Sequence, residues 1–138
     1  MLPNDIERNK ALVRKFFDLQ TTSGADPFQD FSDDATWWIA GERSKTPSKV
    51  LSGTFTGKAR LYELGQFLGE VINNIESVIV TGMTAEGHRV AVEVESRIYL
   101  NSGKFYNNLY HFLFIVEEDQ ITAVREYLDT AHVAETFG

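Results

Sequence analysis

The chain has 138 residues, 43% hydrophobic and 24% charged, with 20 acidic against 13 basic side chains and a formal charge of -7. That length suits a single domain, residues 1–138, around one core, and the composition is globular rather than disordered. An acidic chain without a Lys/Arg cluster argues against nucleic acid or an anionic membrane as partner, and the lack of cysteine excludes disulfides, zinc thiolates and thiol nucleophiles. The opening "MLPNDIERNK" is polar and has no signal core, and no later run approaches roughly 18 apolar residues. These features predict a soluble, cytoplasmic protein.

Residues 5–20 form an amphipathic helix, with Ile6, Leu12, Val13, Phe16 and Phe17 on one stripe, Asn4 as cap and Glu7 completing a capping box. "DPFQDF" reads as a helical turn capped by Asp26, with Pro27 at its first position. "DDATWWIAG" has strand composition, and its two tryptophans point to opposite faces; Trp37 is assigned to the inside. "ERSKTPSKVLSG" is a polar loop, followed by a second amphipathic helix in "TGKARLYELGQFLGEVINN", capped by Thr56 or Gly57. Four strands come next, "IESVIVTGMTA", "HRVAVEVESRIYL", "KFYNNLYHFLFIV" and "ITAVREYLD", joined by turns short enough to require an antiparallel meander. The plan is α+β: a curved antiparallel sheet forming a cone, closed by the N-terminal helices over a central pocket.

The strand "YNNLYHFLF" raises a question about faces. Tyr106, Asn108, Tyr110, Phe112 and Phe114 share one side, and a buried amide without partners costs about 1–3 kcal/mol. Asn108 therefore needs satisfaction from the protein or from a cavity. The preceding strand alternates Val90, Val92, Val94 and Ile98 with Glu93, Glu95, Arg97 and Tyr99. A two-residue loop at Ser102-Gly103 puts Glu95 opposite Tyr110 and Arg97 opposite Asn108. A three-residue loop with left-handed Gly103 puts Glu93 opposite His111. The pattern leaves both registers open, since a slip of one residue exchanges the faces.

The first register yields a candidate pocket. Glu95 and Glu126 would act as acid and base, Arg97 would orient or polarise, and Asn108 and Tyr110 would donate to a substrate oxygen. Trp37, Phe17, Phe112, Val124 and Leu128 would complete the lining. Two carboxylates in a water-poor cavity separate each other's pKa values, which suits general acid–base work; a structural salt bridge with Arg97 explains the same residues equally well. None of His88, His111 and His132 has ligand spacing with another His or acid, so no metal and no cofactor is expected. Asp129 is expected to cap or anchor the C-terminal segment, and His132 to lie near the pocket mouth.

Residues spread over nearly the whole chain carry a family resemblance. "FSDDATWWIAG", "SGTFTGKARL", the run Gly103, Tyr106, Asn108, Tyr110, Phe112, Phe114, and "ITAVREYLDTAHVAE" resemble the nuclear transport factor 2-like superfamily (cystatin-like fold), in its SnoaL-like, polyketide cyclase-related branch. The resemblance implies a small-molecule pocket and a homodimer through the outer sheet face, where Val92, Val94, Leu109 and Leu113 need cover. Transfer by position is uneven. The acid of ketosteroid isomerase-like relatives falls on Ile39, beside Ala40, and their first-helix tyrosine on Phe16 or Phe17. The two acids of limonene-epoxide hydrolase-like relatives fall on Glu95 and Glu126. Their arginine falls on Glu93, with Arg97 farther along the same face, their tyrosine on Trp37 and their asparagine on Ile39. The expected function is acid/base chemistry of isomerase, cyclase, dehydratase or epoxide-hydrolase type on an apolar oxygenated molecule; the alternative is a non-catalytic ligand-binding dimer.

Overall fold

A computed structural model describes residues 3–138, with side chains from Asp5 onward. Helix α1 (Pro3–Gln20) is followed by β1 (Phe31–Ile39), β2 (Gly53–Thr56), α2 (Lys58–Val71) and β3 (Ile72–Glu86). Then come β4 (Arg89–Leu100), β5 (Phe105–Tyr106), β6 (Leu109–Glu117), β7 (Gln120–Leu128) and α3 (Thr130–Phe137). One sheet of seven strands runs in the order β2-β1-β7-β6-β4-β3, with β5 paired to β4. Bulges along β3 and a register shift in β1 bend this sheet, as extra residues in a ladder do. The α+β class with a curved, open sheet agrees with the sequence reading.

Four details differ from expectation. The sheet is mixed, because β1 lies parallel to β7 while every other pairing is antiparallel. Residues expected in the loop and first turn of the second helix form β2, which pairs with the end of β1. "INN" opens β3 instead of ending α2. Helix α1 begins at Pro3, so Asn4 falls within its first turn; the Asn4 side chain lies outside the described residues.

The C-terminal segment is a third helix. Asp129 caps it, its Oδ1 accepting from the His132 backbone N–H at 3.2 Å. Asp26 likewise accepts from the Phe28 N–H at 2.9 Å, as its sequence context predicts.

The hairpin between β4 and β5 decides which faces are wet. Leu100 N–H donates to Lys104 O at 2.9 Å and Gly103 N–H to Leu100 O at 3.0 Å, leaving three residues in the loop. Gly103 has φ 88°, a left-handed conformation that glycine adopts without a Cβ penalty. Glu93 accordingly pairs with His111 and Val94 with Tyr110. The inner face of β4 is therefore Val90, Val92, Val94, Ser96 and Ile98, all buried, while Glu93, Glu95, Arg97 and Tyr99 are exposed on the outer face. Val92 and Val94, expected on the outer surface, are core residues at 0% and 2% exposure.

Below the pocket the core is aromatic. Phe16 of α1 touches Phe17, Phe28, Phe31, Trp37 and Phe114 at ring distances of 5.2–6.1 Å. Offset, edge-to-face and tilted pairs of this kind add about 0.5–1.5 kcal/mol each beyond area burial.

Candidate functional site

Between the concave face of the sheet and the helices lies a cavity of about 350 Å³. That is toward the small end of the ~300–1,000 Å³ usual for small-molecule sites. Its sheet wall includes Trp37, Ser96, Tyr106, Tyr110, Phe112 and Glu126. Its helical wall is apolar apart from Gln20 at the end of α1, running from Phe17 through Leu64 and Leu68 to Phe137. Among the described lining residues there is no Lys, Arg or His.

Glu126 reaches this wall because β7 alternates. Val124, Glu126 and Leu128 point inward, opposite Phe114, Phe112 and Tyr110 of β6. Its Oε1 accepts from Trp37 Nε1 at 2.8 Å, and the half-buried side chain lines the cavity. Burial, slightly relieved by the Trp37 N–H, pushes the Glu126 carboxyl up from 4.5 to about 7. A carboxyl in an apolar pocket resists ionisation because the anion loses its hydration. At neutral pH this one is divided between acid and carboxylate.

Facing it is a cluster of hydroxyls. Tyr110 Oη lies 3.1 Å from Ser96 Oγ, and the Tyr106 and Tyr110 hydroxyls interact. Tyr106 Oη also accepts from Asn108 Nδ2 at 3.0 Å, and Ser96 Oγ accepts from the Asn108 N–H at 3.1 Å. Three hydroxyls carry three protons, and their two mutual contacts use two. One O–H is left uncommitted within the cluster. Burial first, then the nearby Glu126 charge for Tyr106 and the neighbouring phenol for Tyr110, hold both phenols above the ordinary tyrosine range. They remain protonated donors at neutral pH.

Asn108 answers the question its strand raised, and answers it from within the protein. Its Oδ1 accepts from Leu109 N–H at 2.8 Å and Asp129 N–H at 3.1 Å, while Nδ2 donates to Tyr106 Oη and, at 3.1 Å, to Asp129 O. The amide is 1% exposed and fully partnered. It ties the β5–β6 junction to the start of α3 and holds Tyr106 in place without lining the cavity itself.

Of the residues expected to bind ligand, Phe17, Trp37, Tyr110, Phe112 and Leu128 line the cavity. Asn108 and Val124 do not; Val124 is packed in the core at 1% exposure. Glu126 alone of the expected catalytic trio is in the cavity. Glu95 pairs with Leu109 and Ile79 on the outer face, and Arg97 hydrogen-bonds Glu76 there, so neither joins Glu126. The cause is the three-residue loop, which turns every odd-numbered residue from 93 to 99 outward. Ser96 was missed, although the run Val90, Val92, Val94, then Ser96, Ile98 already placed one serine on an apolar face.

Trp38, opposite Trp37, points outward, donates to Glu42 at 2.9 Å and lies under Arg125. His132 stacks on Tyr106 with ring centroids 5.3 Å apart. Its Nε2 accepts from the Asn107 N–H at 3.1 Å, which leaves Nδ1–H to donate to Glu135 at 2.7 Å. No cluster of His, Cys, Asp and Glu that could hold a metal ion occurs among the described residues, and no described helix is long and apolar enough to cross a membrane.

No protein-family model matches the sequence, and no curated protein matches it. Solved structures do match. An NTF2-like protein from Burkholderia xenovorans LB400 shares 23% identity and a TM-score of 0.76 over 96% of this chain and 98% of that one. A SnoaL-like polyketide cyclase candidate from Jannaschia sp. CCS1 shares 17% identity and a TM-score of 0.80 over 99% and 95%. A ketosteroid isomerase-like fold from Catenulispora acidiphila DSM 44928, in complex with trimethylamine, shares 16% identity and a TM-score of 0.73 over 92% of each chain. The chain has the nuclear transport factor 2-like fold, in the form found in SnoaL-like and ketosteroid isomerase-like proteins, and this fold holds small molecules in at least one of these neighbours.

Proposed function

We propose that this protein is a cytoplasmic enzyme that moves a proton on an uncharged, apolar molecule bearing a carbonyl. The observation that carries the reading is Glu126, a carboxyl in an apolar cavity with a pKa of about 7. A group so poised is suited to both halves of a proton transfer near neutrality. As carboxylate it would take a proton from the carbon next to the carbonyl, the C–H electron pair passing to the carbonyl oxygen to form an enolate. The spare O–H of the Tyr110, Ser96 and Tyr106 cluster would donate to that oxygen. Glu126 would then return its proton to the same carbon, giving exchange alone, or to a conjugated one, completing an isomerisation.

One carboxyl suffices for this sequence of steps. Epoxide hydrolysis of the kind that uses two acids around a water is less well supported, since Glu95 lies on the other side of the sheet. A non-catalytic pocket of the same fold is the second reading, supported by the absence of another titrating acid or base among the described lining residues.

The test is solvent exchange. In D2O, the protein is expected to catalyse deuterium incorporation beside the carbonyl of neutral cyclic ketones such as cyclohex-2-enone, observed by NMR. The rate should rise with pH through about 7, because the carboxylate is the base. No exchange above the buffer rate, with ligand demonstrably bound, would leave the binding reading.

The homodimer belongs to the same proposal. Ile79, Leu109 and Tyr127 are 51%, 63% and 43% exposed, and all project from the outer sheet face. Sedimentation at micromolar concentration is expected to give twice the chain mass, and Leu109→Glu to give the single mass. A monomer in both cases removes the proposal.

A further inference from the structure

Glycine is a poor helix former compared with alanine, yet α2 carries two, Gly65 in its interior and Gly69 in its last turn, both on the cavity wall. Neither has the positive φ that demands glycine. At Gly65 a Cβ would come 3.3 Å from the Phe28 ring, so close packing accounts for that position. At Gly69 a Cβ would meet nothing within 4 Å. Neither backbone conformation nor packing accounts for it.

The position of Gly69 in the cavity supplies a reason. Among the described lining residues, Gly69 and Gln20 are exposed, whereas Trp37, Ser96 and Tyr106 are 7%, 3% and 6% exposed. The cavity thus opens between the end of α1 and the C-terminal half of α2, past Gly69, with Trp37, Ser96 and Tyr106 buried farther in and Glu126 and Tyr110 half-buried beside them. A ligand entering there meets an apolar entrance formed with Leu68 and Phe137 before its polar atom reaches Glu126 and the hydroxyls.

We infer that Gly69 is a specificity-determining residue, whose missing side chain keeps the mouth wide enough for an elongated, uncharged ligand carrying a carbonyl or hydroxyl oxygen at its leading end. Charge selection follows from the lining. An organic anion would lose its hydration without meeting any described cationic side chain, and would face Glu126. The inference rests on the pocket being a small-molecule site, as proposed above.

Two neutral ketones of different length test it. Prodan, a naphthalene ketone whose emission reports an apolar surrounding, is the long probe, and cyclohex-2-enone, followed by NMR line broadening, is the short one. The expected result is binding of both by the native protein, and loss of at least about tenfold in prodan affinity in Gly69→Phe with cyclohex-2-enone affinity unchanged. Gln20→Trp should have the same effect from the α1 side of the mouth. Gly69→Ala should bind both probes and unfold at a higher temperature, since only helix propensity changes. The anion 2-naphthoate should not bind.

Native-like prodan binding by both Gly69→Phe and Gln20→Trp would overturn the gating role and leave the pocket reading intact. Tight binding of 2-naphthoate would overturn the charge selection. Failure of the native protein to bind either ketone would remove the pocket reading, and this inference with it.

Discussion

Replacing Glu126 with glutamine is expected to abolish ketone α-proton exchange, by roughly a hundredfold or more for loss of a general base, and to change how stability depends on pH. In the unfolded chain the carboxyl ionises near 4.5; in the folded protein it does so near 7. Below 4.5 both states are protonated and the residue contributes no pH dependence. Between 4.5 and 7 the unfolded state loses its proton first, so the native protein becomes less stable as pH rises, and above 7 the penalty is complete. A shift of this size corresponds to about 3 kcal/mol. Glutamine can still accept the Trp37 N–H and does not titrate. Urea unfolding at pH 4.5 and pH 8 should therefore show the variant gaining about 3 kcal/mol on the native protein across that interval. Glu95→Gln and Arg97→Gln, on the outer face, should leave the exchange rate as it was. A parallel pH dependence in native and Glu126→Gln proteins would mean that the carboxyl is solvated.

The second large effect is expected at Asn108, and it concerns architecture. Asn108→Ala removes an amide with four side-chain hydrogen bonds and leaves Tyr106 Oη and both backbone groups of Asp129 without that partner. Since each buried group left unsatisfied costs about 1–3 kcal/mol, the loss should be roughly 3 kcal/mol or more. The adjacent Asn107 is exposed, and only its backbone N–H is engaged, with His132. Asn107→Ala should thus cost no more than about 0.5 kcal/mol. Denaturant unfolding of the two neighbours side by side distinguishes them. Equal, small losses would mean that the junction between β6 and α3 is held by something other than this amide. Because Asn108 also fixes Tyr106, its alanine variant should weaken ligand binding even under conditions where it remains folded.

The α+β class was legible because its signals are local. Period-2 alternation over 88–100 and 104–116, the 3.6-residue stripe of α1, and short turns between long strands each follow from a few neighbouring side chains. Glu126 was legible for the same reason: it alternates with Val124 and Leu128 whatever the rest of the chain does. The positions of Glu95 and Arg97 depended on one loop residue. Asn101, Ser102 and Gly103 satisfy two-residue and three-residue turns alike, and the choice between them rotates every side chain of β4 by one face. The parallel contact of β1 with β7 joins residues about ninety positions apart, and no local pattern encodes it. Helix α3 did leave a signal, in the Asp129 cap and the buried Val133 four residues from Phe137. Its eight residues follow β7 almost without a break, too short a stretch for a helical stripe to stand out.

The same contrast explains the site. The pocket draws residues from all three helices and from six of the strands, and the sequence pattern locates each residue only relative to its own element. Alternation puts Trp37 and Trp38 on opposite faces of β1 and groups Tyr106, Tyr110, Phe112 and Phe114 on one side of their strand, but which side meets the cavity follows only from how the elements pack. Ser96 and Tyr106 are both hydrogen-bonded to Asn108, which is tied in turn to Asp129 at the start of α3, and no local pattern encodes that contact.

The most direct test of the acid/base account is the ionisation of Glu126 itself. Carbon-13 NMR of the glutamate carboxyls, assigned by comparison with Glu126→Gln, should show one resonance titrating near 7. In Trp37→Phe, where the N–H that favours the anion is gone, the inflection should move higher. An inflection in the ordinary carboxylate range, unmoved by Trp37→Phe, would contradict the account: Glu126 would be an ionised, hydrated side chain, and the cavity would have no proton to exchange.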